Sequence, residues 1–197
     1  MNNENSNPSL LSAYSGMFSI NMLCVMAFAI ALNVIGGQIA LLMHLPIYLD
    51  SMGTIMTAIL YGPFYGILPP LAYGLVMGST IDIYSLYYMP VGIILGFVTG
   101  LVSRRMRLDR AWFIPAAVLI TIPGTIVSSV ITAFLFGGIT SSGSTIIVQF
   151  LNKAGLGLTA SVFIVQVLTD FADRLLSLVI VSFLLRRLLP TGLLRDM

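Results

Sequence analysis

Charge is what this sequence has least of. Of 197 residues, nine are Lys or Arg and seven are Asp or Glu, 8% in all. A soluble domain carries about 25%. Hydrophobic residues make up 58% and the mean hydropathy is +1.02. No single water-soluble core hides that much apolar surface, so the composition predicts an integral membrane protein. A formal charge of +2 says nothing of nucleic acid, and none is expected as a partner.

Cysteine and histidine are nearly absent. Cys24 and His44 are the only ones. One cysteine excludes an intrachain disulfide, and one of each excludes a Cys/His zinc or catalytic cluster. Cys24 reads as a small buried hydrophobe. There is no Gly-x-x-x-x-Gly-Lys-Ser/Thr loop, no His-Glu-x-x-His and no Gly-x-Ser-x-Gly. ATP hydrolysis and the hydrolases those motifs mark are therefore not expected of this chain, nor is a metal or cofactor. Charged rings and filter repeats are missing too, which argues against a channel. A chain this small, without visible inverted repeats, reads as one part of a larger assembly.

Long apolar runs are what the sequence does have. They are continuous rather than alternating, so they predict helices and not a β-barrel. Residues 1–13 form a polar tail, 14–190 one membrane domain, and 191–197 a second tail. The run from Phe18 to Met43 exceeds a signal-peptide core of roughly 7–15 residues, so it reads as a retained helix. At 1.5 Å per residue it is about 39 Å long against a hydrocarbon core of about 30 Å. Pro46 ends it. Gly62-Pro63 divides the next run into Ser51–Tyr61 and Phe64–Gly78. Pro90–Ser103, Ala111–Phe136 and Leu158–Leu189 complete an expected six-helix bundle with short helices and outward lid loops. A kink is expected at Pro123-Gly124. If Asp50–Gly78 were one span, the count would be five.

Gly92, Gly96 and Gly100 stand four apart, a signature of close helix packing in lipid. Ser79–Met89 carries Asp82, Tyr84, Tyr87 and Tyr88. These tyrosines fit either a membrane-interface belt or a ligand lid. Gly137–Gly157 reads as a loop, with a short surface helix over STIIVQFLN.

Seven of the nine basic residues fall within Arg104–Arg110 and Arg186–Arg195. The positive-inside rule puts both clusters, and with six helices both termini, in the cytoplasm. Trp112 reads as an interface anchor. The loops around His44, Ser79–Met89 and Gly137–Gly157 then face outside.

An ionisable residue within a span is a functional candidate by default. TDFADRLL holds Asp170, Asp173 and Arg174. Arg174 lies 12 and Asp170 lies 16 residues before Arg186, about 18–24 Å at helical rise. The spacing of Asp170 and Arg174 allows a pair on one face, either a structural lock or the floor of a ligand pocket. Asn33, Gln38, His44, Asp50, Asp82, Gln149, Asn152, Lys153 and Gln166 gather toward the outer side. A small-molecule site needs an apolar cavity with a few such groups. His44, beside Pro46, reads more simply as a solvated loop residue. The candidate binding set is Asn33, Gln38, Asp50, Tyr84, Tyr88, Asn152, Lys153, Gln166, Asp170 and Arg174.

In length and order of features the chain resembles the substrate-binding S component of energy-coupling factor (ECF) transporters, prokaryotic ABC-type vitamin importers. The likeness rests on Ala27-x-x-x-Ala31 in the first helix, YGPFYG at Tyr61–Gly66 and DFADRLLSLVI in the last helix. It also rests on the basic clusters after expected helices four and six. The resemblance implies high-affinity capture of a water-soluble micronutrient outside the cell. It implies docking through Ala27 and Ala31 on a transmembrane coupling subunit, and release by toppling, driven by two separate ATPase subunits. The three outward loops would form the lid. Substrates of the family include riboflavin, thiamine, folate, pantothenate, cobalamin, pyridoxine and nucleosides. Tyr84, Tyr87 and Tyr88 suit a ring, Lys153 an anionic group and Asp170 a donor, with a planar heterocycle favoured. A membrane sensor or assembly subunit without transport, and a small membrane enzyme, remain the other readings.

Overall fold

The computed structural model describes residues 20–106 and 113–188. The expected tails, Phe18, Arg107, Arg110, Trp112, Pro190 and Arg195 lie outside the described residues. Every regular element among the described residues is helical. These are α1 (Ile20–Leu42), α2 (Met52–Tyr61), α3 (Pro63–Gly66), α4 (Leu68–Thr80), α5 (Tyr84–Tyr87) and α6 (Met89–Arg105). There follow α7 (Phe113–Val130) with a π-helical turn (Ile131–Leu135), α8 (Ser144–Leu151) with a second (Asn152–Leu156), and α9 (Leu158–Leu188). Two helical stretches, Ile20–Leu42 and Phe113–Leu135, are each long and apolar enough to cross a membrane. α9 has 31 residues but carries Asp170, Asp173 and Arg174 at its middle.

Local chemistry accounts for the breaks. Gly62 takes φ 91°, open to glycine and strained for other residues. Pro63 then opens α3, where a missing N–H costs no helical bond. The expected helix Phe64–Gly78 is itself divided at Ile67. Pro69 and Pro70 sit in the first turn of α4, not in its interior. α7 runs on as helix through Pro123, and the irregular turn comes later, at Ile131–Leu135. Neighbouring helices re-satisfy the carbonyl that a proline frees in such bundles.

The glycine stripe of α6 is the seam for α3 and α4. Gly92 meets the Pro70 ring, Gly96 the backbone of Gly66, and Gly100 the backbone of Pro63. Without Cβ atoms the two backbones approach directly, as small residues allow.

Polarity is inverted relative to a helix in water. On α9, Ser161, Gln166, Asp170, Asp173, Arg174 and Ser177 are buried, while Phe163, Leu168, Val179 and Phe183 face outward. An apolar cluster that includes Ile55, Leu95, Ile120, Leu178 and Val181 fills part of the interior. Buried polar groups such as Thr54, Thr57, Thr121 and Ser177 stand beside it on the same helices. On α1 the exposed side carries Cys24, Ala27 and Ala31. The expectation of a buried Cys24 is thus corrected. Buried Asn33 lies nine residues on, on the opposite side of α1 from Cys24.

Two ends of the bundle can be told apart. At one, residues 43–51, 81–88 and 136–143 converge. The Gly143 N–H donates to the Leu45 carbonyl (3.2 Å), and Ser141 Oγ donates to Asp82 Oδ2 (2.8 Å). At the other, the Arg104 guanidinium lies against Gly62.

Gly96→Leu should lower stability by about 1–3 kcal/mol, the usual cost of overpacking, because its Cβ meets the Gly66 carbonyl. Unfolding in detergent by denaturant titration measures this. An unchanged midpoint would contradict the seam.

Candidate functional site

Residues 43–51 do not stay on the surface. They turn inward after Pro46 and reach α9 at Asp173. The Leu49 N–H donates to Asp173 Oδ1 (2.7 Å) and Ser51 Oγ to Asp173 Oδ2 (2.8 Å). Ser51 Oγ also lies 2.9 Å from Ser177 Oγ. Asp173 is 15 residues into α9, about 22 Å along its axis. Ser51 stands immediately before α2, so the positive end of that helix dipole faces a buried carboxylate, a favourable arrangement. Gly36 permits the fold-back, since a Cβ there would collide with the Leu49 carbonyl.

Arg174 forms its ion pair with Asp173, through Nη1 and Oδ2. The i,i+4 partner Asp170 is held differently. Its Oδ2 accepts from Thr125 Oγ1 (2.8 Å) and Ser128 Oγ (3.0 Å). Its Oδ1 accepts no hydrogen bond among the described residues. Asp170 is 3% exposed and Arg174 6%, yet both line a cavity whose lining also includes residues of the three converging loops. The cavity has a volume of about 90 Å³.

The lining includes Asp170 and Arg174 of α9, Gly37 and Leu41 of α1, Tyr73 of α4, and Tyr48, Asp50, Ser51, Asp82, Tyr84, Tyr88 and Ser141 at the converging end. Gly37 is small enough to let the Tyr73 hydroxyl approach α1. The roof is aromatic. Tyr84 and Tyr87 pack edge-on against Phe136, with centroids 4.7 and 5.3 Å away, and Tyr88 stacks on it at 6.3 Å. A hydrogen-bonded chain ties this roof to the wall. Tyr48 Oη donates to Gln166 Oε1 (3.4 Å), Gln166 Nε2 to Thr132 Oγ1 (2.7 Å), and Tyr88 Oη lies 2.5 Å from the same Thr132 oxygen.

Of the ten candidate binding residues, Asp50, Tyr84, Tyr88, Asp170 and Arg174 line the cavity, and Gln166 supports its wall. The other four are placed elsewhere. Asn33 clamps α1 to α2: its Nδ2 donates to Thr54 Oγ1 (2.9 Å) and its Oδ1 accepts from the Gly53 N–H (2.7 Å). Gln38 turns its amide to Met77 Sδ (3.5 Å). Asn152 and Lys153 lie in the π-helical turn before α9, with Lys153 exposed. A polar side chain in an apolar run signals burial, but not whether its partner is a ligand or a neighbouring helix. His44 is an exposed loop residue at φ 50°.

Tyr48, Ser51, Tyr73 and Ser128 were not singled out from the sequence. Ser128 had a signal. It shares with Ser129 and Thr132 a polar stripe at helical spacing inside an apolar helix. Tyr73 had none, because an aromatic residue in an apolar helix looks like packing.

Comparisons with protein-family models, with curated proteins and with solved structures found no match to this chain.

Removing the charge at the Asp173 junction, by Asp173→Asn, should destabilise the protein by about 3–5 kcal/mol, since Arg174 then lies buried with its close partner gone. A denaturant titration in detergent reads this, and a loss under 1 kcal/mol would contradict the lock. Lys153→Ala, by contrast, should leave ligand affinity within about twofold, in line with a surface change. A larger loss by calorimetric titration would return Lys153 to the site.

Proposed function

We propose that this chain is the substrate-capture membrane subunit of an ECF-type ABC importer. It takes a water-soluble vitamin-like molecule from outside the cell into the three-loop cavity. One observation carries this reading. One cavity is lined both by residues of three converging loops, at the end opposite Arg104, and by the buried charged residues Asp170 and Arg174 of α9.

The surrounding features support the same reading. An exterior of large apolar side chains around polar buried helices fits a bilayer and would aggregate in water. In that setting α1, α2, α4, α6, α7 and α9 cross the membrane in alternating directions. Arg104, Arg105, Arg186 and Arg187 face the cytoplasm. The short α2 and the inward turn of residues 43–51 are tolerable within the bilayer because protein surrounds their backbone. Asp82–Ser141 and Leu45–Gly143 join three separate loops at the outer end, so that opening one loosens the others. The chain does no chemistry on its ligand. Tyrosines and the carboxylate floor bind and orient it, and ATP is hydrolysed by partner subunits.

Delivery needs a partner. Ala27 and Ala31 lie on the exposed face of α1, one turn apart, with Cys24 nearby. A stripe of small residues lets a second helix approach and slide. On this account a transmembrane coupling subunit docks there, and the subunit topples to turn the cavity mouth toward the cytoplasm.

Replacing both alanines by Trp should abolish copurification of the coupling subunit and reduce whole-cell uptake at least tenfold. Ligand affinity of the isolated subunit should stay unchanged, since neither residue touches the cavity. Uptake at the unaltered rate would exclude this docking face.

A further inference from the structure

The cavity is short of positive charge. Asp50, Asp170 and Asp173 act on one guanidinium, that of Arg174, which pairs directly with Asp173 and lies in the field of the other two. Asp173 is taken by Arg174 and by the 43–51 segment. Asp170 is 3% exposed and lines the floor, and its Oδ1 accepts no hydrogen bond among the described residues. A fourth carboxylate, Asp82, stands near the mouth. Surplus ionised carboxylates at this depth are costly unless they are paired or protonated.

From this arrangement we infer that the ligand is itself a cation, a planar heterocycle bearing a quaternary or protonated nitrogen, seated with that nitrogen toward Asp170. The inference deepens the proposed capture function and rests on it. The cation completes the pairing that the protein leaves open. Its flat ring suits the aromatic walls of Tyr48, Tyr73, Tyr84 and Tyr88, where cation–π attraction adds to stacking. Asp50 and Asp82 guide the same charge inward from the mouth.

The same groups reject carboxylates and phosphates. Among the described residues Arg174 is the one basic side chain on the cavity wall, and it already carries an ion pair. An anion reaching it must pass Asp82 and Asp50 and then sit beside Asp170. Like charges held together in a dry site repel strongly, and one guanidinium that is already shared does not offset this.

The test is a calorimetric titration of the purified full chain in mild detergent. The probes are thiamine and pyridoxamine as cationic heterocycles, riboflavin as a neutral one, and biotin and pantothenate as carboxylates. At least one cation should bind at micromolar concentration or tighter, and neither carboxylate should bind within a hundredfold of it. Asp170→Asn should weaken the cation by at least about tenfold, the scale of one lost charge-assisted hydrogen bond. It should leave the helical circular-dichroism signal intact. Riboflavin or a carboxylate binding as tightly as any cation would overturn the inference and leave the capture function standing. So would a cation whose affinity is unchanged in folded Asp170→Asn. Silence from the whole panel would overturn both.

Discussion

A buried carboxylate, Asp173, is the point on which the rest of this structure depends. It accepts from the Leu49 N–H and from Ser51 Oγ, and it pairs with Arg174. Those bonds draw residues 43–51 from the bundle's end to the middle of α9. They also set the start of α2 against that helix. Once the segment is anchored, Asp50 and Tyr48 become cavity walls. Without the anchor there is an apolar bundle with an unpaired arginine inside it. Such a group is costly in any interior and more so in hydrocarbon.

Two kinds of contact hold the interior. The apolar cluster around Ile55, Ile120 and Val181 and the glycine seam of α6 hold helices together by packing. Around the cavity, buried polar groups bond to one another. There the bonds between elements run through side chains: Thr125 and Ser128 to Asp170, Gln166 to Thr132, Ser141 to Asp82. A stable seam beside a polar, loop-covered cavity is a reasonable way to keep the floor fixed while the roof opens.

How far the sequence foretold this depended on whether the signal was local. The helical class came from composition, the break at Gly62-Pro63 from backbone chemistry, and the α6 seam from a four-residue glycine period. Each needs only near neighbours along the chain. The charged centre was visible as three ionisable residues in an apolar run. Its pairing was not. Helical spacing favours Asp170 with Arg174, whereas the approach of Leu49 and Ser51 from more than 120 residues away makes Asp173 the partner and leaves Asp170 to the cavity. Asn33 failed as a ligand residue for a similar reason, because only the fold shows Gly53 and Thr54 waiting for its amide. The inward turn of residues 43–51 was equally hidden. Pro46 and a lone histidine read as a surface turn, and only the fold shows the Leu49 carbonyl lying against Gly36. Cys24 went wrong because a small apolar side chain suits lipid as well as a helix contact, although Asn33, on the opposite side of α1, marks the inward face.

The central claim is that this bundle exists to hold one small polar guest above Asp170. Native mass spectrometry of the protein, released from mild detergent after expression in rich medium, tests it most directly. The account predicts a single non-lipid adduct of constant mass, bound one to one and lost from folded Asp170→Asn. A spectrum of the bare chain with phospholipid adducts only, the same for both proteins, would contradict it.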